Sequence, residues 1–300
     1  MSASADLRPL DAWTLAVRPR TLPASLAPVI VGSAAAYADG GFSPWLALAA
    51  LACSMLLQVS VNLANDYFDT RGGHDLTYRQ GPPLGMQTGL IPAARMKGAM
   101  ALTGALCILS GTPLVLAGGL PILLIGAASI LVAFAYSAGP FPLGSHCLGE
   151  LVVFLFFGLV GVCGTYYVQT LGLTWLPVVS AVPVGLLITA ILVVNNIRDV
   201  RSDAHIGKKT LAVMLGDRRS RQAYAILVTL PYLFPFVLLA INGLSPWALL
   251  PLVTFPNAAR AIRLVVNESG PTLNQGLALT AKLALLYSLF LSAGIILTSN

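Results

Sequence analysis

Charge is what this 300-residue chain has least of: 9% of its residues are Asp, Glu, Lys or Arg, and only eleven are acidic. None occurs from Gly98 to Gly149, from Leu151 to Ile197 or from Gln222 to Ala259. Soluble domains carry roughly 25% charged residues, so a water-soluble fold is excluded. The apolar runs also lack the polar–apolar alternation of a transmembrane barrel, whose strands are about ten residues long. Cys53, Cys107, Cys147 and Cys163 form no CxxC pair and lie in or beside apolar segments, which makes them packing residues rather than ligands or disulfide partners. His74, His146 and His205 have no metal-ligand spacing. No basic helix with interleaved aromatics is present, which speaks against nucleic acid as a partner. Gly207-Lys208-Lys209-Thr210 is not a phosphate-binding loop, because the glycine required five positions earlier is Ser202. The first twenty residues hold Asp6, Arg8, Asp11, Arg18 and Arg20 with no apolar core, so a cleavable signal peptide is not expected.

What is present is apolar length. Hydrophobic residues make up 57% of the chain and mean hydropathy is +0.82. The predicted fold is all-α, a single 1–300 transmembrane domain of about nine helices, with residues 1–17 as a preceding segment. The spans fall near 21–38, 44–65, 98–117, 120–138, 149–170, 175–196, 222–241, 245–264 and 275–298. Asp39-Gly40-Gly41, Gly118-Gly119 with Pro121, Gly172 and Asn242-Gly243 mark turns on one side, none containing Lys or Arg. All seventeen Lys and Arg fall on the other, counting Lys282 just inside the last span. The positive-inside rule makes that side cytoplasmic, with the N-terminus inside and the C-terminus outside a cell (inner) membrane. Gly158, Gly161, Gly164 and Gly185 are expected to let helices pack closely. Tyr166, Tyr167 and Gln169 read as an interfacial belt.

Five of the eleven acids sit in two clusters at span ends: Asp66, Asp69 and Asp75 after Asn65, and Asp199 and Asp203 after Asn195-Asn196. Asn65 and Asp69, Asn195 and Asp199, and Asp199 and Asp203 are each four apart, the spacing that stacks side chains on one helix face. Both clusters emerge on the same side, and the repeated Asn-x-x-x-Asp suggests two related halves. Carboxylates at a membrane edge are costly unless they bind something. Oxygen donors facing one another suit Mg²⁺ completed by phosphate oxygens. The plainer alternative is interfacial acids balancing nearby arginines. Arg71, Arg79, Arg198, Arg201, Lys208 and Lys209 are the counter-charges a diphosphate needs. Arg18, Tyr136 and Glu150 lie at the same face, where Glu150 could equally complement a helix dipole.

These residues resemble the UbiA-type superfamily of intramembrane aromatic prenyltransferases, and within it the menaquinone branch that acts on 1,4-dihydroxy-2-naphthoate. The similarity is carried by Arg18-Pro19-Arg20-Thr21-Leu22-Pro23, Asn62-Leu63-Ala64-Asn65-Asp66-Tyr67 with Asp69 and Asp75, and Arg79-x-Gly81-Pro82. It continues through Gly149-Glu150, Gly164-Thr165-Tyr166-Tyr167, and Asn195-Asn196-x-Arg198-Asp199 with Asp203, Gly207, Lys208, Thr210 and Leu211. Tyr136-Ser137 leads into Ala138-Gly139-Pro140 where the ubiquinone branch has Lys-Arg, a departure that fits the naphthoate branch. The resemblance implies Mg²⁺ held by Asn65, Asp69, Asp75, Asn195, Asp199 and Asp203. It also implies diphosphate contacts from Arg79, Arg198, Lys208 and Lys209, with Asp69, Asp199, Asp203 and Arg198 carrying catalysis. Polyprenyl diphosphate and an aromatic acid are the implied partners, and Arg18, Tyr136 and Glu150 the implied acceptor contacts. Another aromatic acceptor is the alternative within the enzyme class. A cation or anion transporter is the rival outside it, although transporters place their sites near the midplane and the span interiors here hold no acid.

Overall fold

The computed structural model describes residues 7–71, 80–139, 141–242 and 246–299. Among them the chain is helical throughout, without a β-sheet. A short α1 (Pro9–Val17) turns at Arg18 into α2 (Pro23–Ala38), followed by α3 (Pro44–Arg71) and α4 (Ala93–Ser137). Next, α5 (Gly149–Val153) runs through a π-helical stretch (Phe154–Val160) into α6 (Gly161–Thr170). The remainder is α7 (Trp175–His205), α8 (Leu211–Thr229), α9 (Phe234–Asn242), α10 (Phe255–Asn267) and α11 (Leu273–Ser299).

Eight continuous stretches among the described residues are long and apolar enough to cross a membrane. One of them crosses twice. At about 1.5 Å per residue, the 45 residues of α4 exceed twice the ~30 Å hydrocarbon layer. The helix breaks at Gly119, whose backbone (φ 65°, ψ −150°) only glycine adopts without strain. Both limbs return to one end of α3: Met96 packs with Leu63, and the Ser137 hydroxyl hydrogen-bonds Asn65 Oδ1. Counting the two limbs of α4 separately gives nine membrane-length passes among the described residues, with the expected turn at Gly118-Gly119.

The core is built around α7, which packs against α2, α8, α11 and the π-helical stretch. Its buried face runs from Pro177 to Asp203. Most of α4 instead remains outside the protein core. A Cβ on Gly158 would lie 2.8 Å from Gly185 Cα, so the π-helical stretch crosses α7 at a contact that only glycine permits. Gly161 meets Pro28 in the same way, whereas Gly164 has nothing within 4 Å and is no packing glycine.

Two expectations need correction. Tyr166 is not an interfacial belt residue: it is buried, and its hydroxyl donates to Asp39 Oδ2 at 2.5 Å, where Thr174 also donates at 3.1 Å. Helices α3 and α7 continue to Arg71 and His205, past the predicted ends at 65 and 196. The polar residues beyond those span limits are helical turns projecting past the apolar layer. The four cysteines are free thiols, with Cys53 and Cys107 sulfurs 3.7 Å apart as packing neighbours of α3 and α4.

Candidate active site

Because both motifs lie on helices, their four-residue spacings place side chains on one face. On α3, Ser54, Gln58, Asn62, Asn65 and Asp69 line a cavity of about 340 Å³; on α7, Ile188, Ile191, Leu192, Asn195, Asn196, Asp199, Ser202 and Asp203 line it opposite. The cavity is polar at its mouth, where the helix ends and Lys208 meet. Deeper down it is apolar, between Ala24 and Pro28 of α2, Val132 and Ala133 of α4, and Phe156 and Phe157 of the π-helical stretch.

The charges at the mouth are paired. Lys208 Nζ reaches Asp69 Oδ1 at 3.3 Å, tying the α7–α8 connection to the end of α3. Arg198 is buried; its Nε and one terminal nitrogen fork onto Asp199 at 3.0 and 2.5 Å. The guanidinium also donates to Asn195 Oδ1 at 2.7 Å and to Asn274 Oδ1 of α11 at 2.8 Å. A buried guanidinium needs this many acceptors to offset its desolvation. Gly81 lies over it: a Cβ there would come 2.7 Å from an Arg198 nitrogen. Asp203 is buried and lines the cavity.

Asp66 does different work from its neighbours. It points off the cavity face, is fully buried, and accepts the backbone N–H groups of Gly85 at 2.6 Å and Met86 at 3.0 Å. That carboxylate folds the returning loop onto α3 rather than serving a ligand.

Of the acceptor-side residues, Arg18 and Tyr136 line the cavity. Arg18 has a left-handed backbone (φ 54°), rare outside glycine and a recurrent mark of a placed side chain. Glu150 does not line it: Oε1 accepts from Asn196 Nδ2 at 2.8 Å, a helix-to-helix clasp behind the wall. Lys209 is also outside; its backbone N–H donates to Ser145 O at 2.8 Å and its side chain is exposed. The same connection receives the Cys147 thiol on Lys209 O at 2.8 Å, and burial, with Glu150 nearby, pushes that thiol above its ordinary range. Arg198 reaches the site through Asp199 and Asn195 rather than as part of the cavity wall. Asp75 and Arg79 lie outside the described residues.

Sequence reasoning missed Gln58 as a wall residue and assigned Asn62 no role. Both are amides inside a span, and searching for acids passed over them. Their spacing below Asn65 and Asp69 on the same helix face was the available signal.

Among the described residues no three His, Cys, Asp or Glu side chains converge as a ready-made metal cage. The donors that do line the mouth are carboxylate and amide oxygens from two helices, without thiol or imidazole. Hard oxygen donors in this number leave coordination positions for ligand oxygens, which fits Mg²⁺ carrying a diphosphate.

Comparison with known proteins gives the same direction. The chain is 40% identical over 297 residues to a 1,4-dihydroxy-2-naphthoate octaprenyltransferase of Escherichia coli, covering 96% of each. Its fold is similar to the apo structure of a UbiA homolog from Aeropyrum pernix (TM-score 0.68, 17% identity, 94% of this chain and 98% of that one). It is also similar to a UbiA homolog from Archaeoglobus fulgidus bound to GPP and Mg²⁺ (TM-score 0.65, 16% identity, 95% and 99%). Residues 25–295 match the UbiA prenyltransferase family, and with the two oxygen-rich helix ends facing across one apolar cavity, this chain belongs to that family.

Proposed function

We propose that the protein transfers a polyprenyl group from polyprenyl diphosphate to 1,4-dihydroxy-2-naphthoate, with loss of diphosphate and CO₂, in menaquinone biosynthesis. The observation that carries this reading is the placement of Asp69, Asp199 and Asp203 from two helices at the mouth of one apolar cavity. The E. coli relative bears that activity in its name, and a structural relative holds GPP with Mg²⁺.

In this reading Asn65, Asp69, Asn195, Asp199 and Asp203, joined by Asp75, hold Mg²⁺. The bound cation supplies neutralisation of charge building on the leaving diphosphate. Lys208 meets diphosphate oxygens directly, and Arg198 fixes Asn195 and Asp199 and adds positive charge beneath them; Arg79 completes the set. Preorganised charge of this kind is the largest lever on a reaction that develops an anion. The C–O bond to diphosphate breaks with its electron pair leaving on oxygen. The allylic carbon is left among Phe156, Phe157 and Ile191, where water is excluded. The ring carbon bearing the carboxylate bonds to it, and the electrons of the C–CO₂⁻ bond restore aromaticity as CO₂ departs. No general base is consumed, in keeping with a cavity lined, among the described residues, by no histidine.

The chain acts as one domain, and the basic end that carries the site faces the cytoplasm of a cell (inner) membrane, placing both substrates' polar ends on that side. The decisive experiment is a membrane assay pairing labelled polyprenyl diphosphate with a panel of aromatic acids. Carboxyl-labelled dihydroxynaphthoate should release one labelled CO₂ per transfer. Prenylated product that keeps the label, or a preference for 4-hydroxybenzoate, overturns the reading.

A further inference from the structure

Gln58 is the deepest large polar side chain on the α3 wall of the cavity, one turn below Asn62 and two below Asn65. A glutamine within a span is costly unless its amide is used. Half of it is used structurally. Val17 C=O can only accept, so the Asn62 group 2.8 Å from it is the NH₂. The same NH₂ reaches Thr21 Oγ1 at 3.0 Å, and that hydroxyl spends its own hydrogen on Arg18 C=O at 2.9 Å. Asn62 Oδ1 is thereby turned toward Gln58, 3.2 Å away, and Gln58 must present its NH₂ there. The network fixes both amides without ambiguity of flip. Gln58 Oε1 is left as an acceptor at the cavity, and it takes no hydrogen bond among the described residues.

We infer that Gln58 Oε1 accepts a hydrogen bond from the ring hydroxyl that stands meta to the carboxylate, out of its reach, and so selects and orients a hydroxylated acid. The inference rests on the prenyl-transfer reading above. Arg18 and Gln58 are the two ends of one hydrogen-bonded assembly, since Asn62 holds the α1–α2 corner with one group and Gln58 with the other. A guanidinium at the mouth suits the carboxylate. An acceptor-only oxygen one turn further in, roughly 6 Å along the helix from Asn62, suits a donor meta to that carboxylate. In 1,4-dihydroxy-2-naphthoate the 1-hydroxyl is engaged by the adjacent carboxylate, and the 4-hydroxyl is the free donor. A carbonyl oxygen at that place would face Oε1 lone pair to lone pair, so the site favours the reduced, hydroxylated ring over its quinone.

The test measures acceptor KM and kcat in membranes, with 1-hydroxy-2-naphthoate as a competitor that lacks the far hydroxyl. The wild-type protein should bind the dihydroxy acid at least about tenfold more tightly than the competitor, the scale of one hydrogen bond. Gln58→Leu should raise acceptor KM by about the same factor and erase that preference, leaving polyprenyl diphosphate KM within about twofold. Gln58→Glu keeps a donor for Asn62 when protonated and a carbonyl for the cavity, so it should retain the preference. It also decides the matter should the leucine variant fold poorly. A leucine variant that keeps the preference, a glutamate variant that loses it, or a wild-type protein with no preference overturns the role of Gln58. Failure of the wild-type protein to prenylate the dihydroxy acid while another acid reacts overturns the prenyl-transfer reading itself.

Discussion

At the scale of single residues, Asp66 and Asp69 separate cleanly although they are three positions apart. Asp69→Ala removes a cavity oxygen, and the expected outcome is a fall in kcat/KM of about a hundredfold or more with the protein still folded. Asp66→Ala strips the loop's two backbone N–H groups of their charged acceptor, a loss of about 2–3 kcal/mol. A lowered melting temperature in detergent should therefore accompany whatever activity it loses. For Asp199 the informative change is Asp199→Asn, because the amide oxygen still accepts from the buried Arg198, whereas alanine would remove both of its Asp199 acceptors. It too should lose about a hundredfold in kcat/KM while membrane expression survives. The acids were the legible part of the sequence, since carboxylates at a membrane edge are rare enough to stand out. That Asp66 turns to the loop was not, because it stands three and four positions from Asp69 and Asn62 and by spacing alone shares their side of the helix. That Glu150 clasps Asn196, and that Gln58 and Asn62 form the wall, depends on which faces of distant helices meet, and no local spacing records that.

At the scale of elements, the helices were legible as apolar runs and their ends were not. Polar residues following a span look like loop, yet α3 and α7 carry on as helix for six and nine residues past the predicted ends at 65 and 196. This matters chemically, because only a continued helix stacks Asn195, Asp199 and Asp203 on one face. The π-helical stretch had no signature beyond Gly158. Its crossing with α7 gives a specific expectation. Gly185→Leu places a branched side chain where Phe154 and Gly158 already sit within about 3 Å of a Cβ, so little folded protein should be recovered by size-exclusion chromatography. Gly164→Ala meets open space and should behave as wild type in the same measurement.

For the whole molecule, the asymmetric distribution of Lys and Arg leads to an orientation that vesicles can check. Asp217→Cys should label only from the cytoplasmic side and Asp39→Cys only from the other; labelling at 217 from outside would reverse the protein and its site. Divalent-cation removal by washing with EDTA should abolish turnover, and Mg²⁺ should restore it. Full activity after chelation would remove the metal from the scheme.

The ion pair between two cavity-lining residues has a thermodynamic corollary. Asp69 holds Lys208, so a cation seeking the acid and a polyanion seeking the base each compete with a bond inside the protein. Whichever arrives first releases the group the other needs. Their affinities are therefore linked, and linkage is reciprocal: inorganic diphosphate should tighten Mg²⁺ binding by the same factor by which Mg²⁺ tightens diphosphate. Lys208→Met dissolves that competing bond. It should strengthen binding of the cation alone while shrinking that shared factor, so that the two ligands come to bind more nearly as strangers.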